Sequence, residues 1–134
     1  GSSGIVGRHN KKLVSGPGIV VGRKGTVGSI QWIDDDFYPI DTTFYIKSKL
    51  SLYFCYFLLT RQHFITGDSA VPGLNRGQAY LNKIIAPPES LIKSFENLVR
   101  PMFEKRNRIH KESQKLSEMR DLLLPKLMRR EIRV

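Results

Sequence analysis

The chain has 134 residues and a formal charge of +10, from 22 Lys and Arg against 12 Asp and Glu. That length allows one small domain with an appendage, and seven Phe with five Tyr indicate folded protein rather than disorder. No apolar run reaches the roughly 18 residues that would span a membrane, and no secretory signal is visible, so we expect a cytoplasmic protein.

The first predicted elements, in residues 1–48, are β-strands. Ile19, Val20 and Val21 follow a Gly-Pro-Gly turn and predict a short buried strand. Residues 26–33 and 42–47 predict two further strands. Three consecutive aspartates, Asp34 to Asp36, predict a solvated turn between them.

The pattern then changes to a helical period. The apolar residues within 50–65 form one broad face, which predicts a helix that packs on the sheet and ends at Gly67. Cys55 lies in this helix as the single cysteine, so we expect a buried thiol. Residues 70–77 predict a loop, residues 78–81 a short helix, residues 84–86 a last short strand, and Pro87-Pro88 a stiff exit.

The most informative segment is a charged helix predicted from about Pro88 to Met128. Apolar residues recur at heptad spacing, interrupted by Lys105, Glu112 and Lys126. Because 40 helical residues span roughly 60 Å, we expect a partner helix to cover part of this seam. We also expect one helix bent at Pro101 rather than two helices. The predicted helix-pairing seam consists of Phe95, Leu98, Met102, Ile109, Leu116, Met119 and Leu123.

Signatures of catalysis are missing from the sequence. Residues 22–26 lack the spacing of a nucleotide-binding P-loop, and Val21 breaks the dinucleotide fingerprint that Gly16 and Gly18 begin. No Cys/His spacing suggests zinc. Asp34 to Asp36 could hold Mg²⁺, but adjacent carboxylates in an extended chain point to opposite faces, which favours a plain acidic turn. We therefore predict no catalytic residue, no metal and no cofactor.

Residues 22–29, Gly-Arg-Lys-Gly-Thr-Val-Gly-Ser, combine cations with glycines in one loop. Glycines let backbone approach a phosphate closely, and Arg can also pair with the O6 and N7 atoms of guanine. This interpretation predicts DNA contacts by Arg23, Lys24, Thr26 and Ser29. The alternative is a tight hairpin that needs its glycines for backbone conformation, with solvated cations.

Two further segments are candidates for DNA contact. Asn75 and Arg76 follow a Pro-Gly-Leu turn, where Asn75 suits an adenine edge but suits turn closure better. Arg8, Lys11 and Lys12 form a basic stretch that suits phosphate rather than bases. The excess of positive charge is also spread along the chain: 10 basic against 5 acidic residues up to Pro88, and 12 against 7 after it. That distribution suits a polyanion such as DNA, or serves solubility alone.

These segments together resemble the target recognition domain of type I restriction–modification specificity subunits. The resemblance is carried by residues 22–29, by Asp-Thr-Thr at 41–43, by Ala-Val-Pro-Gly-Leu-Asn-Arg at 70–76, by Pro87-Pro88 before the helix, and by the ending at 116–128. Each segment alone is weak. Their order and spacing over nearly the whole chain make the match specific.

The resemblance implies a function in DNA recognition without catalysis. Members of this family carry two recognition domains, each followed by a long helix, and the two helices pair antiparallel. Each domain reads half of a split target in double-stranded DNA. Methyltransferase subunits dock on the specificity subunit, and restriction subunits join through them. This chain resembles the later part of one repeat, which fits a truncated product, an excised part or a half-sized subunit that dimerises.

The sequence therefore predicts an α+β fold: a small, mixed or antiparallel β-rich recognition domain followed by a long coiled-coil-type helix. Residues 1–88 are predicted to be a partial DNA target recognition domain, and residues 89–134 the helix for spacing, dimerisation and subunit docking. The predicted partners are duplex DNA, methyltransferase and restriction subunits, and a second specificity repeat or a second copy. The alternative is an assembly module that pairs through its helix and never reads DNA.

Overall fold

The computed structural model describes residues 1–64, 73–129 and 131. Its elements confirm the predicted α+β class, with a small antiparallel sheet and a long C-terminal helix. In chain order they are β1 (Gly18–Gly22), β2 (Ile30–Ile33), β3 (Thr43–Tyr45), α1 (Leu52–Thr60), α2 (Arg76–Tyr80) and α3 (Glu89–Met128).

The predicted buried strand is the centre of the sheet. Strand β1 lies between β2 and β3 and pairs with both in antiparallel register, with Ile19 opposite Trp32 and Val21 opposite Phe44. All five of its residues are buried, and Ile19 is completely inaccessible to solvent. A strand covered on both faces reads as a continuous apolar run, which is why Ile-Val-Val identified it.

The second strand is shorter than the predicted range 26–33, because it begins only at Ile30. A tight turn occupies the four residues before it. Gly25 and Gly28 have φ values of 76° and 74°, and the Gly28 amide donates to the Gly22 carbonyl at 2.9 Å. Left-handed backbone of this kind favours glycine and interrupts a strand. The third strand, β3, is likewise shorter than the predicted 42–47.

Helix α1 packs on the sheet, as predicted, through aromatic contacts. The Trp32 indole stacks on Tyr53, with ring centroids 4.9 Å apart, and meets Tyr56 edge-on at 5.9 Å. Cys55 is buried as a free thiol and donates to the Ser48 hydroxyl. The predicted end at Gly67 is wrong, since the helix ends at Thr60 with tighter turns after it; Gly67 itself lies outside the described residues.

The last predicted strand, residues 84–86, does not form. The apolar residues that suggested a strand are not buried, since Ile84 is 49% exposed and Ile85 is 87% exposed. The short helix predicted at 78–81 is present as α2, which begins earlier at Arg76 because Asn75 caps it.

The long helix α3 begins at Glu89 and continues unbroken through Pro101 and Pro125 to Met128. The prediction of one helix rather than two is therefore confirmed, and the bend at Pro101 stays a prediction. The chain separates into two compact units within α3, the first ending at Glu96 and the second beginning at Asn97. In the described part of the chain, no helix is both long enough and apolar enough to cross a membrane.

Candidate nucleic-acid interface

Residues 70–72 of the second predicted loop lie outside the described residues, but its residues 73 and 74 contact the first predicted loop at one end of β1. The Leu74 amide donates to the Arg23 carbonyl at 2.8 Å, and Lys24 and Gly73 form an isolated antiparallel bridge. Leu74 is buried, which anchors this end of the second loop in the first compact unit. Residues separated by about fifty positions in sequence therefore contribute to one surface.

The backbone of the first loop is fixed from two sides. The Gly22 amide donates to the Ser29 carbonyl at 2.8 Å and closes the turn. The amides of Arg23 and Lys24 both donate to the Thr42 carbonyl, at 2.8 and 3.1 Å. These bonds set where the two cationic side chains leave the backbone, whatever those side chains contact.

Two arginines from different loops share one aromatic ring. The guanidinium carbon of Arg23 lies 5.5 Å from the centre of the Phe44 ring, and that of Arg76 lies 4.9 Å from it. Phe44 belongs to β3 and pairs with Val21 in the sheet, so the ring is mounted on the domain core. Cation–π attraction holds each guanidinium near the ring, at about 0.5–1 kcal/mol for an exposed site.

An aspartate completes this group, which we call the Phe44 cluster: Arg23, Lys24, Asp41, Phe44 and Arg76. The Asp41 carbonyl accepts from Arg23 Nη1 at 3.3 Å, and its carboxylate lies 3.9 Å from Lys24 Nζ. Both carboxylate and ammonium are well exposed, so this ion pair is weak. Three cations against one carboxylate leave the cluster with a charge of +2 at a partly exposed surface.

Two of the other predicted contacts in these loops, Asn75 and Ser29, already have structural partners. The Asn75 side chain accepts from the Gly77 amide at 2.8 Å and caps α2, which agrees with the turn-closing interpretation. The Ser29 hydroxyl donates to the Ser2 carbonyl at 2.7 Å. Thr26 lies exposed at the tip of the turn. A direct role in DNA contact stays a prediction for each of them.

The N-terminal basic stretch is exposed at Arg8 and Lys11, but Lys12 is engaged. Its ammonium forms an ion pair with Asp36 at 2.6 Å, and the same carboxylate accepts from the Gly16 amide at 3.0 Å. The Lys12 hydrogen bond, followed by the Gly16 bond, holds the pKa of Asp36 below its ordinary value. The carboxylate contacts therefore persist through neutral pH and weaken only as the pH falls through that lowered pKa. Phosphate contact by Lys12 would have to compete with Asp36.

Comparison with known proteins supports the resemblance that these loops suggested. In an alignment 86 residues long that covers 61% of this chain, the sequence is 36% identical to the type I restriction enzyme MjaIX specificity subunit of Methanocaldococcus jannaschii. This part of the chain is homologous to a type I specificity subunit. The match spans only 20% of that archaeal protein's length. No protein-family model matches the chain, and no solved structure is significantly similar to it.

The helix-pairing seam predicted from the heptad spacing of apolar residues is mostly exposed. Its first residue, Phe95, instead packs edge-on against Phe57 of α1, with centroids 5.6 Å apart. Pairing through this stripe stays a prediction. The remaining seam residues are exposed by 39 to 65% of their surface: Leu98, Met102, Ile109, Leu116, Met119 and Leu123.

Sequence reasoning missed Phe44 and Asp41 as members of the candidate site. Phe44 reads as an ordinary strand residue, and nothing local shows that two arginines approach its ring. Asp41 contributed to the family resemblance through its Asp-Thr-Thr motif but had no assigned role. One signal was available in the sequence. Asp41 lies just before β3 and Phe44 lies within it, and β3 pairs with the strand that leads into the basic loop. Among the described residues, no group of three His, Cys, Asp or Glu side chains could hold a metal ion.

Proposed function

We propose that this chain is a non-catalytic DNA sequence-recognition module of a type I restriction–modification complex. In this role it directs methyltransferase subunits, and restriction subunits through them, to a specific target in duplex DNA. The observation that carries the proposal is the joining of two separately predicted basic loops in the Phe44 cluster. Homology to a named specificity subunit supports the same assignment.

The Phe44 cluster has the chemistry that a DNA surface requires. Its charge of +2 favours phosphate, and each phosphate contact releases condensed counterions from the duplex. Arg23 and Arg76 can also present their planar donor forks to base edges in the major groove. Because the Phe44 ring already restrains both guanidinium groups, less side-chain freedom is lost on binding than for two unrestrained arginines.

The exposed stripe on α3 supports a second role for the same chain, in assembly. A row of apolar side chains at heptad spacing suits pairing with another helix, such as that of a second specificity repeat. This pairing sets the spacing between recognition domains and offers a docking surface for methyltransferase subunits. If the chain acts only in this way, without reading DNA, it is the assembly module that forms the alternative to our proposal.

Reversing the two cations of the first loop tests the DNA surface. We expect the double variant Arg23→Glu/Lys24→Glu to bind a mixed-sequence duplex much more weakly than the unmodified chain. The slope of log K against log salt should also become shallower by about 1.8, because each lost phosphate contact removes about 0.9. Fluorescence anisotropy of a labelled duplex over a salt series measures both quantities.

The control carries the same change in charge at two exposed lysines outside the cluster, Lys49→Glu/Lys83→Glu. We expect this variant to lose affinity only through the altered net charge and to keep the original slope. Equal losses in the two variants would refute the assignment of the first loop. If the unmodified chain shows no salt-dependent DNA binding at all, the assembly module is the better description.

Removal of the shared ring tests whether it positions the arginines. Phe44→Leu keeps apolar bulk in β3 but removes the aromatic face, so we expect DNA affinity to fall by about two- to fivefold. The fold should remain intact, which urea unfolding checks. A matched control is available in α3, where Arg106 lies 4.6 Å over the ring of Phe103. Phe103→Leu removes a similar contact away from the cluster and should leave DNA affinity unchanged; an equal effect would contradict the positioning role.

A further inference from the structure

The second compact unit presents an apolar stripe along α3, and the charged residues on both sides of this stripe are all cations. With Ile109 and Leu116 at heptad position a, residues such as Met119 fall at position d. The side chains along this stripe are largely exposed, Leu98 by 65% and Leu116 by 60%. Positions e and g border the stripe on either side and face the corresponding positions of any helix that pairs with it.

Every charged residue at the bordering positions between Asn97 and Met128 is a cation. Arg106 and Arg120 occupy position e, and Arg108 and Lys115 occupy position g. The acidic residues of the same segment lie elsewhere: Glu104 and Glu118 at position c and Asp121 at position f, with Glu112 alone inside the stripe at position d. Arg120 contacts Asp121 at 2.7 Å, but both side chains are about two-thirds exposed, so this pair screens the cation only weakly.

This arrangement disfavours pairing between two copies of the chain. In a parallel pair, position g faces position e of the next heptad, which sets Lys115 of one copy against Arg120 of the other. In an antiparallel pair, position e faces position e and position g faces position g. Depending on the register, Arg106 of one copy faces Arg120 of the other, or Lys115 faces either Lys115 or Arg108 of the other copy. The polar d residues conflict as well, since a parallel pair places Lys105, Glu112 and Lys126 each against its own copy. Because like charges that face each other repel, they select against pairing between two copies of this helix.

We propose that the α3 stripe binds a helix of different sequence whose own e and g positions are acidic. That helix carries an apolar a/d seam, with further acidic residues where it faces Lys105 and Lys126 and a cation where it faces Glu112. The inference rests on the helix pairing in the proposed function and adds the chemistry of the partner. The charge pattern makes α3 one half of an unlike pair rather than half of a homodimer.

Two synthetic helical peptides of about four heptads test the proposal. They share one apolar a/d seam and differ only in carrying Glu or Lys at positions e and g. We expect the unmodified 134-residue chain to bind the Glu peptide at least tenfold more tightly at low salt, measured by isothermal titration calorimetry. The difference should shrink as added salt shortens the screening length. By sedimentation equilibrium, the chain alone should be monomeric.

A charge-reversed chain makes the test independent of peptide design. Arg108→Glu/Lys115→Glu/Arg120→Glu should prefer the Lys peptide and should now pair with the unmodified chain, with helix content unchanged by circular dichroism. A stable dimer of the unmodified chain, or equal binding of the two peptides, would overturn the proposal. Failure of both peptides to bind would overturn the helix pairing itself. A failure of the proposed DNA binding can be distinguished from these outcomes, because the salt slope of DNA binding is measured on the Phe44 cluster variants without either peptide.

Discussion

Replacing Gly22 with Ala is expected to lower the free energy of unfolding by about 3 kcal/mol and to abolish DNA binding. A Cβ at this position would collide with the Thr26 carbonyl oxygen and would lie 2.5 Å from the Ser29 hydroxyl oxygen. The Thr26 oxygen belongs to the backbone of a tight turn and cannot rotate away. The turn would have to open, and with it the placement of the Arg23 and Lys24 side chains.

Urea unfolding measures this change conveniently, because the single tryptophan stacks on Tyr53 and reports on the packing of α1 against the sheet. Gly7→Ala provides the control, since no atom lies within 4 Å of the added Cβ. We expect that variant to change stability by less than about 0.5 kcal/mol. If Gly22→Ala were as stable as Gly7→Ala and still bound DNA, the turn could not be what positions the cations.

The local sequence was sufficient to predict a strand or helix where a single hydrophobic pattern dominated the segment. The run Ile19 to Val21 identified the central strand, and the heptad spacing identified α3 across two prolines. Prediction from the local sequence failed where glycines and apolar residues are compatible with more than one kind of local structure. Thr26 and Val27 look like strand residues, but Gly25 and Gly28 place them in a turn. Ile84 and Ile85 look like part of a buried strand, yet they are 49% and 87% exposed.

The candidate site shows a different limit of prediction from sequence, which concerns contacts between distant segments. Each basic loop was recognisable from its own residues, but their contact depends on the pairing of Lys24 with Gly73. Such a pairing between distant segments leaves no local pattern. The ring shared by Arg23 and Arg76 was unpredictable for the same reason. The sequence could suggest which residues carry the chemistry, whereas their assembly into one cluster follows only from the tertiary structure.

Replacing Ile109 and Leu116 with Asp is expected to weaken any complex formed through the α3 stripe by at least about 100-fold. Burying an apolar side chain of this size contributes about 1.5–3 kcal/mol, so two lost positions remove about 3 kcal/mol or more. Each new carboxylate would also have to leave water for an apolar seam, which adds to the loss. Both residues are more than half exposed in the chain alone, so α3 itself should remain helical. Titration of the Glu-flanked peptide by calorimetry gives the change in affinity, and circular dichroism checks the helix.

The decisive control moves the same two carboxylates one residue along the helix. His110→Asp/Ser117→Asp keeps the seven-residue spacing and the added charge but places both groups at position b, away from the stripe. A complex that depends on the seam should survive this change with only a modest loss in affinity from the altered charge. If the two double variants lose affinity equally, general electrostatics rather than the apolar seam holds the partner. If neither loses affinity, the partner binds a different face of α3, and the cations at positions e and g cannot be what selects it.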